Sequence, residues 1–365
     1  MYTDPDSLFS VEGDRLFSVS FQFSLTSETS LSIDYYSQCS ELNKRGPDAS
    51  PKSWQGVGFF GYSGNSSSIT EHYEAVFMNC IINRRAKFSA SHRYWLPELS
   101  DAENAEQFGL CARMPGHGHN YVLYVSMAGE LDEYGMVLNL SDVKHIIKKQ
   151  VTGQLDFSYL NDIWPEFQET LPTTENIARV IWQRLAPHLP IVRIQLFEQP
   201  ELWADYEGKG MEAYLTISTH FSAAHRLALP TLTLEQNLEI YGKCARVHGH
   251  GHNYHLEVTI KGEMDPRTGM IADLCAFQQV VEENVTEPFD HTFLNKDIPY
   301  FAEVVPTAEN IAIHIRDILE APIQDIGATL HKVKLVESPN NSCEVYGRDR
   351  LQPHAINTLQ KTALV

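Results

Sequence analysis

The chain has 365 residues and carries 28 Lys and Arg against 47 Asp and Glu, which gives a formal net charge of −19. Hydrophobic residues make up 43% and charged residues 21%, a balance that is typical of a folded protein and excludes a disordered chain. The acidic balance argues against nucleic acid as a partner, because a nucleic-acid binder needs a basic face. The sequence has no apolar run of about 18 residues, so we expect no membrane-spanning helix. The length predicts two domains.

The cysteines predict a reduced compartment. They lack the tight pairing pattern of a disulfide scaffold. The N-terminal residues lack the positive charge and apolar core of a signal peptide, so we expect a cytoplasmic protein. The six cysteines are Cys39, Cys80, Cys111, Cys244, Cys275 and Cys343.

Residues 1–77 are rich in serine and have no counterpart elsewhere in the chain. The tract at 61–68, Gly-Tyr-Ser-Gly-Asn-Ser-Ser-Ser, is typical of a flexible linker. Residues 17–23 alternate weakly and indicate a strand, but no partner strand is visible. We predict a poorly ordered extension that contributes no site residue, followed by a folded part that begins near Met78.

The rest of the chain consists of two copies of one sequence. The motifs Phe-Ser-Ala-x-His-Arg, Cys-Ala-Arg with Gly-His-Gly-His-Asn-Tyr, and Thr-x-Glu-Asn-Ile-Ala each occur twice. The first two recur at an offset of 133 residues and the third at 134, which indicates one inserted residue in the turn at 265–269. Such long units predict duplicated domains rather than a solenoid. The predicted segments are the extension 1–77, the first copy 78–208, the second copy 209–348 and a tail 349–365.

Each copy predicts the order strand, strand, helix, helix, strand, strand. In the second copy, strands are predicted at 214–220 and 255–260, and a turn at 265–269 follows them. Helices are predicted at 274–283 and after Thr307, which can act as an N-cap. Two strands, near 331–336 and 342–346, end the copy. This ββααββ order predicts an α+β fold with a four-stranded antiparallel sheet and helices on one face.

Three histidines in each copy form a candidate metal site. In a strand, residues i and i+2 point to the same face, so His-Gly-His presents two imidazoles side by side. A third histidine on the neighbouring strand completes a set that leaves the fourth zinc position open, as in a catalytic site. The alternative is a polar, histidine-rich turn. The two sets are His225, His250 and His252 in the second copy, and His92, His117 and His119 in the first.

A cysteine precedes each histidine pair by six positions: Cys111 in the first copy and Cys244 in the second. Near Zn²⁺ and near cations such as Arg246 or Lys243, its pKa would be depressed, and the thiolate could serve as base or nucleophile. Two alternatives stay open. The thiol is buried and inert, or it closes the zinc site as a fourth ligand.

Two further features of the second copy carry acid–base chemistry. Asp290 and His291 are adjacent, and such a pair can relay a proton; the alternative is a surface pair at a helix end. Glu337 ends an apolar strand, as Glu198 does in the first copy. A buried carboxylate is costly unless paired, so each of these two binds either a ligand with two N–H donors or a local cation.

In combination these motifs resemble the 6-pyruvoyltetrahydropterin synthase family and its relatives, the 6-carboxytetrahydropterin synthases of queuosine synthesis. The resemblance also rests on Gly-Glu-x-Asp-Pro-x-Thr-Gly-Met and on 301–307, Phe-Ala-Glu-Val-Val-Pro-Thr. It covers nearly all of the second copy and most of the first, and excludes 1–77. It implies two tandem tunnelling-fold (T-fold) domains whose sheets join those of neighbouring units into barrels with active sites at unit interfaces. It also implies a homo-oligomer, such as a trimer of tandem chains.

The resemblance implies roles for the candidate residues, position by position. It implies Zn²⁺ on the two histidine sets, Cys244 and its counterpart Cys111 as general base, and Asp290 with His291 as proton relay. The residues that would anchor or surround the pterin ring are Glu337, Glu198, Thr307, Glu309, Thr174 and Glu175.

The implied substrate is 7,8-dihydroneopterin triphosphate, and the implied reaction is a zinc-dependent elimination that expels triphosphate. Two products stay open: 6-pyruvoyltetrahydropterin, used for tetrahydrobiopterin, and 6-carboxytetrahydropterin, used for queuosine. The pyruvoyl type typically has Cys-x5-His-Gly-His and the queuosine type Cys-x3-His-Gly-His. Cys244 fits both spacings, because His248 stands at the shorter one. The first copy has Pro115 there, so we assign zinc to His250 and His252.

The first copy departs from the family pattern, because Phe157 stands where the second copy has His291. A phenyl ring carries no proton, so this dyad is degenerate. The departure supports an alternative function, a non-catalytic pterin-binding T-fold protein. Zinc hydrolysis of a purine-like ring is a third hypothesis, without a marked general acid.

If unlike copies face each other, Asp290 and His291 meet Cys111; if like copies do, they meet Cys244. The short linker near 207–210 favours unlike copies.

Overall fold

The computed structural model describes residues 80–347 and the backbone of three strands nearer the N-terminus. These strands form an antiparallel sheet with β2 in the centre: β1 (Leu8–Glu12), β2 (Arg15–Leu25) and β3 (Leu31–Cys39). The strand predicted at 17–23 lies within β2 and has two partners that the sequence did not reveal. The rest of 1–77, and the tail 349–365, lie outside the described residues.

The first copy contains five strands and six helices. The strands are β4 (Cys80–His92), β5 (His117–Gly129), β6 (Ser158–Tyr159), β7 (Ile191–Gln199) and β8 (Leu202–Tyr206). The helices are α1 (Asp101–Phe108), α2 (Leu140–Ile147), α3 (Gly153–Leu155), α4 (Leu160–Ile163), α5 (Glu166–Glu169) and α6 (Thr174–Leu185). A 3₁₀ turn at Gly109–Ala112 follows α1, and a π-helical turn at Lys148–Thr152 links α2 to α3.

The second copy repeats this order. Its strands are β9 (Glu212–His225), β10 (His250–Glu263), β11 (Thr292–Phe293), β12 (Thr329–Ser338) and β13 (Asn341–Tyr346). Its helices are α7 (Leu234–Tyr241), α8 (Leu274–Val281), α9 (Glu287–Phe289), α10 (Leu294–Asp297) and α11 (Ala308–Asp325). Single turns lie at Gly242–Ala245, Glu282–Thr286 and Pro299–Ala302.

The predicted ββααββ order is confirmed, with additions. The second helix begins where expected, because the Thr307 hydroxyl caps it by accepting a hydrogen bond from the Asn310 N–H at 3.3 Å. The inserted residue also lies where expected. The Asp132 N–H donates to the carbonyl of Met136 across the first-copy turn, whereas Asp265 reaches Met270, one residue further along. The sequence did not predict helices α1 and α7 or the two-residue strands β6 and β11.

One sheet runs through both copies. Its order is β13-β12-β10-β9-β8-β7-β5-β4-β6, and β11 pairs in parallel with the far end of β9. The copies are joined edge to edge, because β8 pairs antiparallel with β9, with Leu202 opposite Ile217 and Asp205 opposite Tyr214. We call this pairing the internal junction. Residues 207–211 are the whole connection between these two strands.

The helices cover one face of the sheet and bury alternate strand residues. Along β5, Tyr121, Leu123 and Val125 are fully buried, as the two-residue period of a strand requires. His117 and His119 continue this row toward the N-terminal end of β5. The candidate metal ligands therefore lie at the open end of the layer between sheet and helices, where the hydrophobic core stops.

Two further observations bear on the predictions from composition. In the part of the chain that the structure describes, no helix is long and apolar enough to span a bilayer. All five cysteines of residues 80–347 are free thiols. Cys39 lies outside the residues whose side chains are described.

Candidate active site

The structure brings the three candidate ligands of each copy together. In each copy, the last residue of the first strand pairs with the first residue of the second, His92 with His117 and His225 with His250. The third histidine lies two positions further along the second strand, on the same face. All ligand nitrogens within a set lie within 4.8 Å of one another.

Hydrogen bonding fixes the orientation of the deepest imidazole in each set. The Nδ1 of His92 lies 3.1 Å from the carbonyl of Pro172, and that of His225 lies 2.8 Å from the carbonyl of Pro306. A carbonyl only accepts, so Nδ1 carries the proton and the Nε2 lone pair faces the centre of the set. Burial lowers the pKa of both imidazoles to about 4, so both are neutral at pH 7, as a metal ligand must be.

The arrangement of nitrogens fits a divalent metal. The Nε2 atoms of His92 and His117 are 3.1 Å apart, as are those of His225 and His250. In the described part of the chain, the buried Nε2 of His119 has no hydrogen-bond partner. The same holds for the Nε2 of His252. Converging lone pairs of this kind are unfavourable unless a cation lies between them.

Within residues 80–347, each set consists of its three histidines alone. Cys111 and Cys244 lie nearby, since their carbonyls accept hydrogen bonds from Tyr94 and Leu227, two residues beyond the deepest histidine of each set. Three imidazoles without a thiolate leave a coordination position open, as catalytic rather than structural zinc sites do.

The Cys111 thiol is partly buried. Burial of the sulphur raises its pKa to about 11, and the nearby Glu198 carboxylate acts in the same direction. The depressed thiol pKa that the sequence predicts requires a bound zinc ion and stays a prediction. As a free group, this thiol needs a partner that removes its proton.

In the first copy, a carboxylate pocket lies beside the histidine set. Glu198 is buried, accepts a hydrogen bond from the Thr174 hydroxyl at 2.6 Å, and lies 3.3 Å from the Nε2 of His119. Glu175 is buried next to it, and burial raises its pKa from 4.5 to about 7. Such a pocket can accept several N–H donors from a flat, polar ring.

The second copy builds this pocket differently. Ala308 stands where the first copy has Thr174, so no hydroxyl holds the carboxylate of Glu337. Glu337 lies 3.8 Å from the Nε2 of both His225 and His252, further than Glu198 lies from His119. The carboxylate of the second pocket therefore also lies near the imidazoles, but no hydroxyl at position 308 orients it.

Asp290 and His291 of the second copy, the candidate proton relay, are hydrogen-bonded to each other. The Nδ1 of His291 donates to Asp290 at 2.7 Å, and the second oxygen of Asp290 accepts the Ser222 backbone N–H at 2.7 Å. These hydrogen bonds lower the pKa of Asp290, and the one from the Ser222 N–H has the largest effect. His291 has a φ of +56°, a strained conformation for a residue with a side chain, and its ring is exposed.

The first copy retains the backbone of this relay without the imidazole. The Ser89 N–H donates to Asp156 at 2.8 Å, and Phe157 has a φ of +57°, nearly the value at His291. Its phenyl ring is 91% exposed. The strained backbone thus holds a large apolar side chain outward.

The internal junction brings the turn of the second copy onto the pocket of the first. The Thr173 hydroxyl donates to the carbonyl of Gly269 at 2.8 Å, and the Ile271 N–H donates to Glu175 at 3.2 Å. The Thr170 hydroxyl also donates to the carbonyl of Pro266 at 2.8 Å. The wall of the first pocket is therefore built by both copies.

Sequence profiles of known families identify the chain. The profile described as 6-pyruvoyl tetrahydropterin synthase matches it twice, at residues 81–209 and 214–348. The chain belongs to this family. The two matches confirm the tandem arrangement and, with the topology above, the α+β T-fold architecture.

Individual relatives of this synthase family match the length of one copy. The 6-pyruvoyl tetrahydrobiopterin synthase of Homo sapiens is 44% identical over 134 residues, which are 37% of this chain and 91% of the relative. The 6-carboxy-5,6,7,8-tetrahydropterin synthase of Bacillus subtilis is 32% identical over 139 residues, 35% of this chain and 85% of the relative. The solved 6-pyruvoyl tetrahydropterin synthase of Caenorhabditis elegans is 35% identical and covers 38% of this chain and 98% of that chain, with a TM-score of 0.36.

Some residues at the site of this synthase-family chain were not predicted. Thr170, Thr173 and the turn residues Gly269 and Ile271 act through contacts between the copies, which no local pattern reveals. Helix α7 leads into the turn that carries Cys244, and its start could have been predicted from the sequence. Thr233 and Gln236 form a capping box at its start, as Ser100 and Glu103 do for α1.

Proposed function

We propose that the chain is a zinc-dependent lyase that converts 7,8-dihydroneopterin triphosphate to 6-pyruvoyltetrahydropterin with loss of triphosphate. The working site combines the histidine set, Cys111 and carboxylate pocket of the first copy with the Asp290–His291 pair of the second. The relatives named as synthases and the metal-ready histidine sets support the reaction class.

One observation carries the pairing of unlike copies. Strand β11, directly after His291, pairs with β9 at Ala223 and Ala224, on the same edge of β9 that pairs with β8 at 214–217. The dyad therefore belongs to the edge of the second copy that faces the first. The first copy's Glu198 ends β7, the strand next to β8, at the same end of the sheet.

The first pocket is the better equipped to bind a pterin. Glu198 accepts two N–H donors of the ring's amidine edge, and the hydrogen bond from the Thr174 hydroxyl orients that carboxylate. Glu175, held by the Ile271 N–H, lines the same pocket. A ring anchored here directs its side chain toward His92, His117 and His119.

The proton transfers belong to Cys111 and the dyad. His92, His117 and His119 would hold a zinc ion, which when bound would supply a Lewis acid for the substrate's hydroxyls and the adjacent C–H bond. Cys111 removes the carbon-bound proton, and its high thiol pKa makes the thiolate a strong base once formed. His291, oriented by Asp290, takes the thiol proton and returns protons to the product.

The pyruvoyl product is favoured over the carboxy product by two observations. Identity to relatives named 6-pyruvoyl synthases, such as the human protein, exceeds identity to the 6-carboxy synthase of Bacillus subtilis. Counted to the histidines that converge in each set, the cysteine spacing in both copies is also the longer one, Cys-x5-His-Gly-His. Acetaldehyde release from dihydroneopterin triphosphate distinguishes the two, because only the carboxy product requires it.

The decisive experiment is a pair of matched variants, Cys111→Ala and Cys244→Ala, each assayed for triphosphate release. We expect Cys111→Ala to lower kcat by at least about 100-fold, the scale of one general base, and Cys244→Ala to change it little. The reverse pattern would favour pairing of like copies. Equal partial losses would show that both sites turn over.

The second pocket fits the non-catalytic alternative. It lacks the hydroxyl of Thr174, so no side-chain donor at that position orients its carboxylate Glu337. We propose that it binds metal without supporting turnover.

A further inference from the structure

A cavity with strongly positive walls lies on the first copy, between strand β4 and residues 144–153. Its volume is about 370 Å³, and the buried Ile147 lines it from the helix side. Among the described residues, no histidine of either set, no cysteine and no residue of the carboxylate pockets lines it. The charged residues that line it are Arg84, Arg85, Lys87, Lys144, Lys148 and Asp156. We call this cavity the cationic pocket.

The five cations of this pocket have no ion-pair partner within residues 80–347. The ion pairs of lysine and arginine in that part of the chain all involve other residues. The carboxylate of Asp156 is already held by the Ser89 N–H at 2.8 Å. Lys144 and Lys148 stand four positions apart, so they share a helix face and repel each other. The pocket therefore concentrates positive charge that the described chain does not neutralise.

The second copy shows that the fold does not need this charge. It builds the equivalent strand β9 and helix α8. By the repeat, none of the counterparts of the five cations is a lysine or arginine, and Glu282 stands where the first copy has Lys148. A further carboxylate, Glu287, replaces Gly153 of the pocket wall. The positive charge thus belongs to the first copy and has a reason other than folding. The five counterparts are Ile217, Ser218, His220, Gln278 and Glu282.

The shape and charge of the cationic pocket fit an anion with several charges. A guanidinium group binds phosphate oxygens through two parallel hydrogen bonds, and an ammonium group acts as a point charge. A single phosphate carries a charge of only about −1.5 to −2, which is too little to match five cations, whereas linked phosphates carry enough. A cleft lined by one sign of charge, with low-dielectric walls, strengthens this attraction.

We propose that the cationic pocket binds a triphosphate group, at a site separate from both histidine sets. The group belongs either to free inorganic triphosphate or to a nucleoside triphosphate, because the recognised chemistry is the same. The site exists in the first copy alone, so each chain binds one such group. The proposal does not depend on the reaction proposed above, since none of the five cations belongs to the working site.

Calorimetric titration of the full-length chain with sodium triphosphate tests the site without any activity assay. Lys148→Glu introduces the residue of the second copy and should weaken binding at least about tenfold, because it replaces an attraction by a repulsion. Lys144→Gln should act in the same direction. The matched control Lys149→Glu makes the same charge change at the next position, which is exposed and does not line the pocket. It should change the affinity much less, because ions in solution screen remote charges.

Further titrations identify the source of the group. Orthophosphate should bind at least about tenfold more weakly than triphosphate, because it meets fewer of the cations. ATP with an affinity close to that of triphosphate would assign the group to a nucleotide, and weaker binding of ATP would assign it to the free ion.

Kinetics separate this site from the working site. Under the proposed function, Lys148→Glu should leave the KM for 7,8-dihydroneopterin triphosphate within about twofold, as expected for a change remote from a site. A rise in KM that matches the loss of triphosphate binding would place the substrate's own tail in the pocket. That result, a wild-type chain that does not bind triphosphate, equal affinity for orthophosphate, or equal losses in Lys148→Glu and Lys149→Glu would overturn the proposal. Binding is measured without turnover, so failure of the proposed function would leave the titrations decisive.

Discussion

The carboxylate of Glu175, in the first copy, accepts a hydrogen bond from the backbone N–H of Ile271, in the second copy, at 3.2 Å. Glu175 is almost fully buried, so this contact is part of the protein interior rather than a surface pairing. A pocket residue of one copy is therefore held by the main chain of the other. The two copies form one structural unit at this point.

Metal content should follow the histidine sets one for one. We expect close to two zinc ions per chain, with one lost in either His119→Ala or His252→Ala, because two imidazoles hold zinc weakly. Triphosphate release should collapse only in His119→Ala. Elemental analysis measures the metal, and His145→Ala on the exposed face of α2 is the control. Wild-type protein without zinc would refute the assignment.

The hydroxyl of Thr174 should matter for substrate binding. Thr174→Ala removes the 2.6 Å hydrogen bond that orients Glu198, a hydrogen bond that Ala308 cannot make to Glu337 in the second copy. We expect kcat/KM to fall about 10- to 100-fold, the scale of one charged hydrogen bond. The mirror substitution Ala308→Thr should leave the steady-state rate unchanged. A rate change in Ala308→Thr alone would mean that the second pocket works.

Restoring the imidazole of the first-copy dyad should make the site of Cys244 catalytically active. Asp156 already accepts the Ser89 N–H, and Phe157 already has the φ of His291, so Phe157→His needs no backbone change. In a Cys111→Ala background, we expect this substitution to recover at least about tenfold in kcat through Cys244. Phe157→Leu in the same background should recover nothing. Failure to recover would show that Phe157 does not face the second pocket.

The buried carboxyl of Glu175 should make stability depend on pH. Burial raises its pKa from 4.5 to about 7, so the folded chain binds this proton more tightly than the unfolded chain does. The associated stability is present below about pH 4.5 and is lost as the pH rises to 7, a loss of about 3 kcal/mol.

Urea unfolding of wild type and Glu175→Gln at pH 5 and 7.5 isolates this contribution, because all other titrating groups are shared. The wild type should lose stability relative to the variant as the pH rises. Parallel pH profiles would show that Glu175 titrates normally.

Removal of residues 1–77 should leave both sites intact. All ligands, both cysteines, both dyad positions and the carboxylate pockets lie within residues 80–347. A chain that begins at Met78 should keep its two metal ions and its turnover within about twofold, within the scatter expected for changes remote from a site. Lost solubility or activity in the shortened chain would assign the N-terminal strands a role in the core.

The parts of the site that the sequence predicted are those set by local periodicity. Alternation along β10 predicted that His250 and His252 share a face, and the repeat predicted the same for His117 and His119. The helix after Thr307 was predicted because its capping signal is local. These features need no knowledge of the rest of the fold.

The parts that the sequence missed depend on packing between distant segments. The burial of the Cys111 thiol, which raises its pKa, depends on elements that pack over it from elsewhere in the chain. The hydrogen bond from the Thr174 hydroxyl to Glu198 joins a residue of a helix to a residue of a strand. The pairing of β8 with β9 had no signal beyond a short connection, because edge pairing depends on which edges are left free.

The connection at 207–211 has a consequence for how the two copies can change. Because β8 and β9 meet within one polypeptide, their encounter depends on an effective concentration set by the tether and not on how much protein is present. Every chain also contains one copy of each kind, so the ratio of the two can never drift. Each copy can therefore lack the half of the active site that the other copy supplies. Under the proposed function, this accounts for Phe157 in place of the imidazole in the first copy and for Ala308 in place of the hydroxyl in the second.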